Sequence, residues 1–282
     1  MADAGPQTPH VEGTSAKAVA LTPGEPGEPG EPIVECEALS KHFGGVTALS
    51  GIDLTLRAGE ITALVGDNGA GKSTLTKLLA GIYSPDEGSI RVRGVERRFH
   101  GPKDAAEAGI QVVYQDLALC DNLNTVQNLF LGRELVGSTV TGRRMRGSDM
   151  EHQAHRVLGE LGVKVRSLGV PVGQLSGGQR QGIAICRSVL TDPEVVLLDE
   201  PTAALGVEQK RQVRGLLERL REQGRAVMVI SHDLHDVQEL ADRVVVLRLG
   251  RRVAELRRGE YSSSDIVDAI TGASSFRLGG GS

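Results

Sequence analysis

Gly66-Asp67-Asn68-Gly69-Ala70-Gly71-Lys72-Ser73, followed by Thr74, fits the pattern G-x-x-x-x-G-K-[ST]. The run Glu60–Val65 (EITALV) before it reads as a strand. After it, Leu75, Leu78, Leu79 and Ile82 recur at helical spacing and predict a helix over Ser73–Ile82. Strand, glycine-rich turn and helix in that order make an anion cradle. The glycines let backbone N–H groups wrap around a polyphosphate, and the helix adds the positive end of its dipole. In such a cradle Lys72 pairs with the outer phosphates and the Ser73 hydroxyl takes a place on Mg²⁺. A glycine-rich loop that merely turns strand into helix is the alternative.

Outward from this loop, further continuous Val/Ile/Leu runs occupy Gly109–Val113, Glu194–Leu198, Ala226–Ile230 and Arg243–Leu247. Unbroken apolar runs belong to strands covered on both faces, as in a parallel sheet flanked by helices, so an α/β core is expected. The opening stretch Ile33–Arg57 alternates instead (IVECEAL, GIDLTL), which predicts a small N-terminal antiparallel sheet with one wet face. Between Asn124 and Leu190 helical spacing dominates and no strong strand run appears. A mostly helical subdomain, about residues 120–190, is therefore expected as an insertion. No internal repeat is visible, so the chain carries one such unit.

Val195–Leu198 end in Asp199 and Glu200, which puts two carboxylates at the C-terminal end of a core strand, where ligands of such sheets bind. Carboxylates are costly there unless they meet a cation. Asp199 suits a Mg²⁺ shell, and Glu200 is placed to polarise an attacking water; taken alone, the pair reads as charge at a helix N-terminus. Leu175-Ser176-Gly177-Gly178-Gln179 opens a helix that runs through Arg180 to Leu190. A serine and two glycines at a helix start form a second anion site, with bare N–H groups and a hydroxyl aimed outward. In isolation the pentapeptide is a capped turn.

The order GDNGAGKST, YQD, LSGGQRQ, VVLLDEP and VISHD resembles the nucleotide-binding domains of ABC transporters, from Ile33 to near Gly272. The resemblance implies a P-loop NTPase core, hydrolysis of ATP with Mg²⁺, and integral-membrane permease subunits as partners. It makes Phe43 in KHFGG the aromatic residue that stacks on adenine, with a core phenylalanine as the alternative. It makes Gln115 the glutamine that senses Mg²⁺ and the membrane partner, and His232 the histidine that contacts the γ-phosphate. Ala203-Ala204-Leu205-Gly206 departs from the family's usual Ser-Ala-Leu-Asp, so a carboxylate that helps couple two sites across a dimer is absent, whereas Glu200 and His232 remain. The AALG wording, with Gln115–Leu119 and Asn124–Glu134, is similar to ATPase subunits of bacterial importers of ribose, xylose and fructose. Those often fuse two such domains. A single one is expected to pair with its own copy or a related ATPase subunit, and to serve a permease fed by an extracytoplasmic sugar-binding protein. Non-transport ATPases of DNA repair or translation are the rival class. They normally carry a coiled-coil or zinc insertion, or two cassettes, and neither feature is present. An exporter subunit stays open on the motifs alone.

With 282 residues, 39% hydrophobic content and a net charge of −4, the chain is long enough for a substantial core. It has no run near the roughly 18 apolar residues of a membrane span and no apolar signal core, so a cytoplasmic place is expected, and the resemblance implies that it is peripheral on the inner face of the cell membrane. Cys36, Cys120 and Cys186 lie far apart and form no C-x-x-C pair, which marks them as reduced packing residues. Gly142–Arg146 and Arg243–Arg258 are basic, the latter with six arginines to one Glu, and read as a solvated helix face or loop. No stacking aromatics accompany them, so nucleic acid is not an expected partner. Residues 1–32, ending in PGEPGEPGEP, read as a disordered tail, and 273–282 as a flexible C-terminus.

Overall fold

The computed structural model describes residues 30–139 and 142–273. β1 (Pro32–Phe43) and β2 (Val46–Arg57) pair antiparallel. The chain then passes through β3 (Ile61–Val65) and α1 (Lys72–Leu79), and returns to the antiparallel sheet as β4 (Glu87–Val92) and β5 (Val95–Arg97). That sheet has the order β2-β1-β4-β5. α2 (Pro102–Glu107) and β6 (Ile110–Val113) lead into the helical part. There α3 (Thr125–Phe130), a hairpin of β7 (Val136–Thr139) and β8 (Gly142–Met145), α4 (Gly147–Glu160) and α5 (Gly177–Val189) follow. The chain closes with β9 (Val195–Asp199), α6 (Val207–Glu222), β10 (Ala226–Ile230), α7 (Leu234–Leu240), β11 (Arg243–Arg248), β12 (Arg251–Arg257) and α8 (Ser263–Thr271).

The second sheet runs β12-β11-β3-β10-β9-β6, parallel except for the antiparallel edge strand β12. Its unbroken apolar runs are buried on both faces, as expected. On β9 and β10, Val195, Leu197, Ala226, Met228 and Ile230 face one core, shared with Leu75, Leu78 and Leu79 of α1 and with the antiparallel sheet. Val196, Leu198, Val227 and Val229 face the other, packed on Ile183 of α5 and Leu216, Leu217 and Leu220 of α6. A third core gathers Val244 and Val246 of β11 with Val237 of α7 and Ile266 of α8.

Several details differ from the sequence reading. The helical part contains the β7–β8 hairpin; its four-residue strands (VGST, GRRM) carry too little apolar alternation to register as strands. α1 stops at Leu79 rather than Ile82 because Gly81, at φ +70°, closes it. The Gly81 N–H donates to Leu78 O (3.0 Å) and the Ile82 N–H to Lys77 O (2.9 Å), a Schellman motif. Ile82 is thereby turned out, 42% exposed. Gly30–Pro32, read as tail, run into β1, with the Ala58 N–H donating to Glu31 O at 3.1 Å. Residues 1–29 and 274–282, which hold the rest of the expected tails, lie outside the described residues.

The basic run from Arg243 is not a solvated helix face but the antiparallel ribbon β11–β12. Arg243 itself is buried, because its guanidinium finds partners on neighbouring strands: Glu60 (2.6 Å), Thr62 Oγ1 (3.0 Å) and Glu255 (3.3 Å). Cys36, Cys120 and Cys186 are free thiols, and burial pushes Cys36 up to about 12.

Candidate active site

The loop between β3 and α1 is built so that only glycine fits at its ends. Gly66 has φ +148°, and a Cβ there would lie 2.1 Å from Leu247 O; Gly71 has φ +105°, and its Cβ would lie 2.5 Å from Leu49 Cδ2. From the far side the Gly250 N–H donates to Ala70 O (3.1 Å) and holds the loop against the β11–β12 turn. Asp67, Asn68, Gly69 and Ser73 are exposed along its rim, and Thr74 is half-buried. Lys72 is 7% exposed and folds beneath the loop, its Nζ donating to Gly66 O (2.6 Å) and Asp67 O (2.9 Å). Burial pushes the Lys72 ammonium below the ordinary lysine value, while Glu200, Asp67 and Asp199 pull it back. A buried cation inside a rim of exposed polar groups and free hydroxyl is a fitting seat for a polyphosphate.

Asp199 is the last residue of β9, and Glu200 follows with φ +50°, its N–H donating to Ile230 O at 3.0 Å. A left-handed backbone is strained for glutamate, and it turns the side chain back over the strand ends. His232 comes two residues after β10, with Nε2 3.2 Å from Glu200 Oε1. That oxygen is buried and no hydrogen bond of good geometry reaches it. Burial raises the carboxyls of both Asp199 and Glu200. Lys72 and His232 oppose the shift at both residues. The structure thus brings Lys72, Asp199, Glu200 and His232 to the C-terminal ends of β3, β9 and β10, with Glu200 Oε1 buried beside the His232 ring.

Phe43 ends β1 and is 42% exposed, so the core-packing alternative does not describe it. Gln115 is exposed in the segment after β6. The Ser176 loop sits apart. It lines a cleft of about 840 Å³ with Lys164, Gln179, Glu208 and Gln212, and none of Lys72, Asp199 or Glu200 reaches that cleft. The Ser176 hydroxyl is not aimed outward as expected. It accepts the Gln179 N–H (3.3 Å), while Gln179 Oε1 accepts the Ser176 N–H (3.0 Å), a reciprocal cap legible in the S-x-x-Q spacing. Gly177 and Gly178 rest on the segment that follows Glu200: a Cβ at either would lie 3.0 Å from Leu205 Cδ2 or 3.1 Å from Gln209 Cβ.

Sequence reasoning passed over two groups beside these residues. Lys210 of α6 binds Asp233 Oδ2 (2.5 Å) and Asp236 Oδ2 (3.2 Å), and Asp233 caps α7 next to His232. Tyr83 packs its ring on Phe43. Neither carries a motif; the pairs meet only through the tertiary fold.

The family profile described as ABC transporter matches residues 49–203. The chain is 44% identical over 245 residues to the fructose import ATP-binding protein FrcA of Rhizobium meliloti, covering 86% of this chain and 94% of that one. The xylose/arabinose import ATP-binding protein XylG of Sulfolobus acidocaldarius is 37% identical, with 88% and 96% covered. The ribose import ATP-binding protein RbsA 1 of Burkholderia thailandensis is 42% identical over 85% of this chain, which spans 47% of that relative's length. Among solved structures, cbiO1 from Clostridium perfringens, part of the ABC transporter complex cbiONQ, matches with TM-score 0.71 and 27% identity over 88% of this chain and 96% of that one. A dimeric ATP-binding cassette in a post-hydrolysis state, bound to ADP and Pi, matches with TM-score 0.68 and 25% identity over 81% and 100%. With the phosphate loop, the Asp-Glu strand end and His232 in one place, and relatives of this kind along its length, the chain belongs to the ABC transporter family, as one of its ATP-hydrolysing cassettes.

Proposed function

We propose that the chain energises a membrane importer of a simple sugar. The observation that carries this reading is its 44% identity to a fructose import ATP-binding protein across 94% of that relative. In this reading it lies on the inner face of the cell membrane, bound to permease subunits that an extracytoplasmic sugar-binding protein loads. Among the described residues no helix is long and apolar enough to cross a membrane, in keeping with a peripheral subunit.

ATP lies with its base on Phe43 and its phosphates in the loop Gly66–Thr74. Ser73, Asp199 and Gln115 are the groups for Mg²⁺. Their donor set fits a small hard cation that keeps waters and phosphate oxygens as its other ligands, and no group of three His, Cys, Asp or Glu side chains forms a separate metal site among the described residues. When bound, Mg²⁺ offsets phosphate charge. Glu200 accepts a hydrogen bond from the attacking water and orients it in line, while Lys72 and His232 stabilise charge on the transferring phosphoryl group. The Ser176–Gln179 loop of a second cassette completes the site from across a two-fold dimer, which is supported by its separation from Lys72 within one chain. Closure and reopening of the dimer drive the permease.

Deletion of the gene should abolish uptake of a five- or six-carbon sugar. Normal growth on every monosaccharide tested, with a defect on a peptide or metal source, would overturn the sugar assignment.

A further inference from the structure

Phe43 is the last residue of β1, beside the Gly44-Gly45 turn of the β1–β2 hairpin, and its side chain is exposed. Its ring meets that of Tyr83, with centroids 5.2 Å apart and planes 69° from parallel. Tyr83 is half-buried, packs on the core beneath the antiparallel sheet, and has its N–H tied to Lys77 O at 3.2 Å. It comes two residues after Gly81, which closes α1, the helix whose first residue is Lys72. A second tie runs alongside. Asp86 Oδ1 accepts from Lys41 Nζ (2.8 Å), Asp86 Oδ2 accepts from the His42 N–H (2.6 Å), and Lys41 Nζ lies 5.7 Å from the Phe43 ring centroid. The Phe43 ring and the backbone of His42 just before it are thus both referred to the segment that leaves α1.

We propose that Tyr83 is a positioning residue for the nucleotide base: it holds the Phe43 ring at a fixed place relative to the phosphate loop, with α1 as the spacer between them. The proposal rests on the reading of Phe43 as the base platform. A T-shaped pair occupies at most one face of Phe43, so Tyr83 does not by itself block the ring to a flat base. An exposed phenylalanine without such a contact must be ordered when the nucleotide binds, and that ordering weakens affinity. Tyr83 touches the base platform and not the base, so its effect is blind to base identity and absent for a ligand with no base.

The test is calorimetry on the full chain with ADP, GDP and inorganic tripolyphosphate. Tyr83→Leu, which keeps an apolar body on the core, should weaken ADP and GDP alike by about three- to tenfold, the worth of an aromatic pair. Tripolyphosphate affinity should not change. Tyr83→Phe, which keeps the ring, should stay within about twofold of the wild type. Phe43→Ala should weaken both nucleotides, and adding Tyr83→Leu to it should cost nothing more. If Phe43→Ala weakens ADP while Tyr83→Leu does not, the positioning role is overturned and the base platform stands. Tripolyphosphate weakened in step with ADP would mean that Tyr83 acts by damaging α1, which also overturns it. An unchanged Phe43→Ala removes the platform and the proposal together.

Discussion

Burial raises the Glu200 carboxyl above the ordinary glutamate range, against the pull of His232 and Lys72. In its proposed role of orienting water it must be ionised, so its contribution is present above the raised pKa and is lost as pH falls through it. The acid limb of kcat should therefore lie above the usual glutamate pKa, and His232→Ala, which removes an opposing charge, should move that limb to still higher pH in a pH–rate profile. Glu200→Gln should bind ATP and lose most turnover; near wild-type hydrolysis would exclude Glu200 as the catalytic carboxylate. Lys72→Ala should remove most nucleotide affinity, because it deletes the charge lodged inside the loop, and calorimetry reads this directly. At this scale the sequence was most informative where chemistry is local. The loop Gly66–Thr74 shows in its own spacing, and the pair Asp199-Glu200, at the end of one core strand, takes its reading from that strand and from the phosphate loop on the same chain. The direction of the Ser176 hydroxyl was misread because a helix cap competes for it, and Tyr83 was invisible because its contact with Phe43 depends on how α1 returns to β1.

α6 and α7 are joined by charges placed beside the site. Lys210 holds Asp233, the cap of α7, and Asp236, whose carboxylate is nearly fully buried. Lys210→Met leaves that carboxylate with Arg214 at 3.9 Å as its remaining partner, and should destabilise the protein by about 1–3 kcal/mol in denaturant unfolding. It should also lower kcat more than it changes KM, since His232 precedes the cap; Lys210→Arg should restore both. The Lys210 hydrogen bond holds the Asp233 carboxyl below its usual value. Its share of stability is thus present above the ordinary aspartate pKa and lost as pH falls through the lowered one. Leu205 and Gln209 lie against Gly177 and Gly178, so the stretch that starts at Glu200 ends on the Ser176 loop. Elements with strong periodicity, such as β3, β9, β10 and α5, were legible within a residue or two. The β7–β8 hairpin was not, because its register is set by pairing rather than by apolar alternation.

Across the whole molecule the two sheets are tied by Arg243 of β11, whose guanidinium donates to Thr55 O of β2 as well as to Glu60, Thr62 and Glu255 of its own sheet. Arg243→Met leaves Glu60 buried without its cation and should cost about 3–5 kcal/mol, read as a lowered thermal midpoint. The same architecture sets the central claim. In the proposed reading each chain carries a hydrolytic site at the ends of β3, β9 and β10 and a second anion-binding loop at the start of α5, which opens on a different cleft. Two copies related by a two-fold axis allow each loop to close on the other's nucleotide. The mass of Glu200→Gln protein by light scattering, with and without ATP, tests this most directly, alone and combined with Ser176→Arg. The account predicts a dimer in ATP and a monomer without it. It also predicts that the added arginine abolishes the dimer while calorimetry still shows ATP bound to the monomer. A dimer that persists with arginine at position 176, or a monomer that has lost ATP, would contradict it.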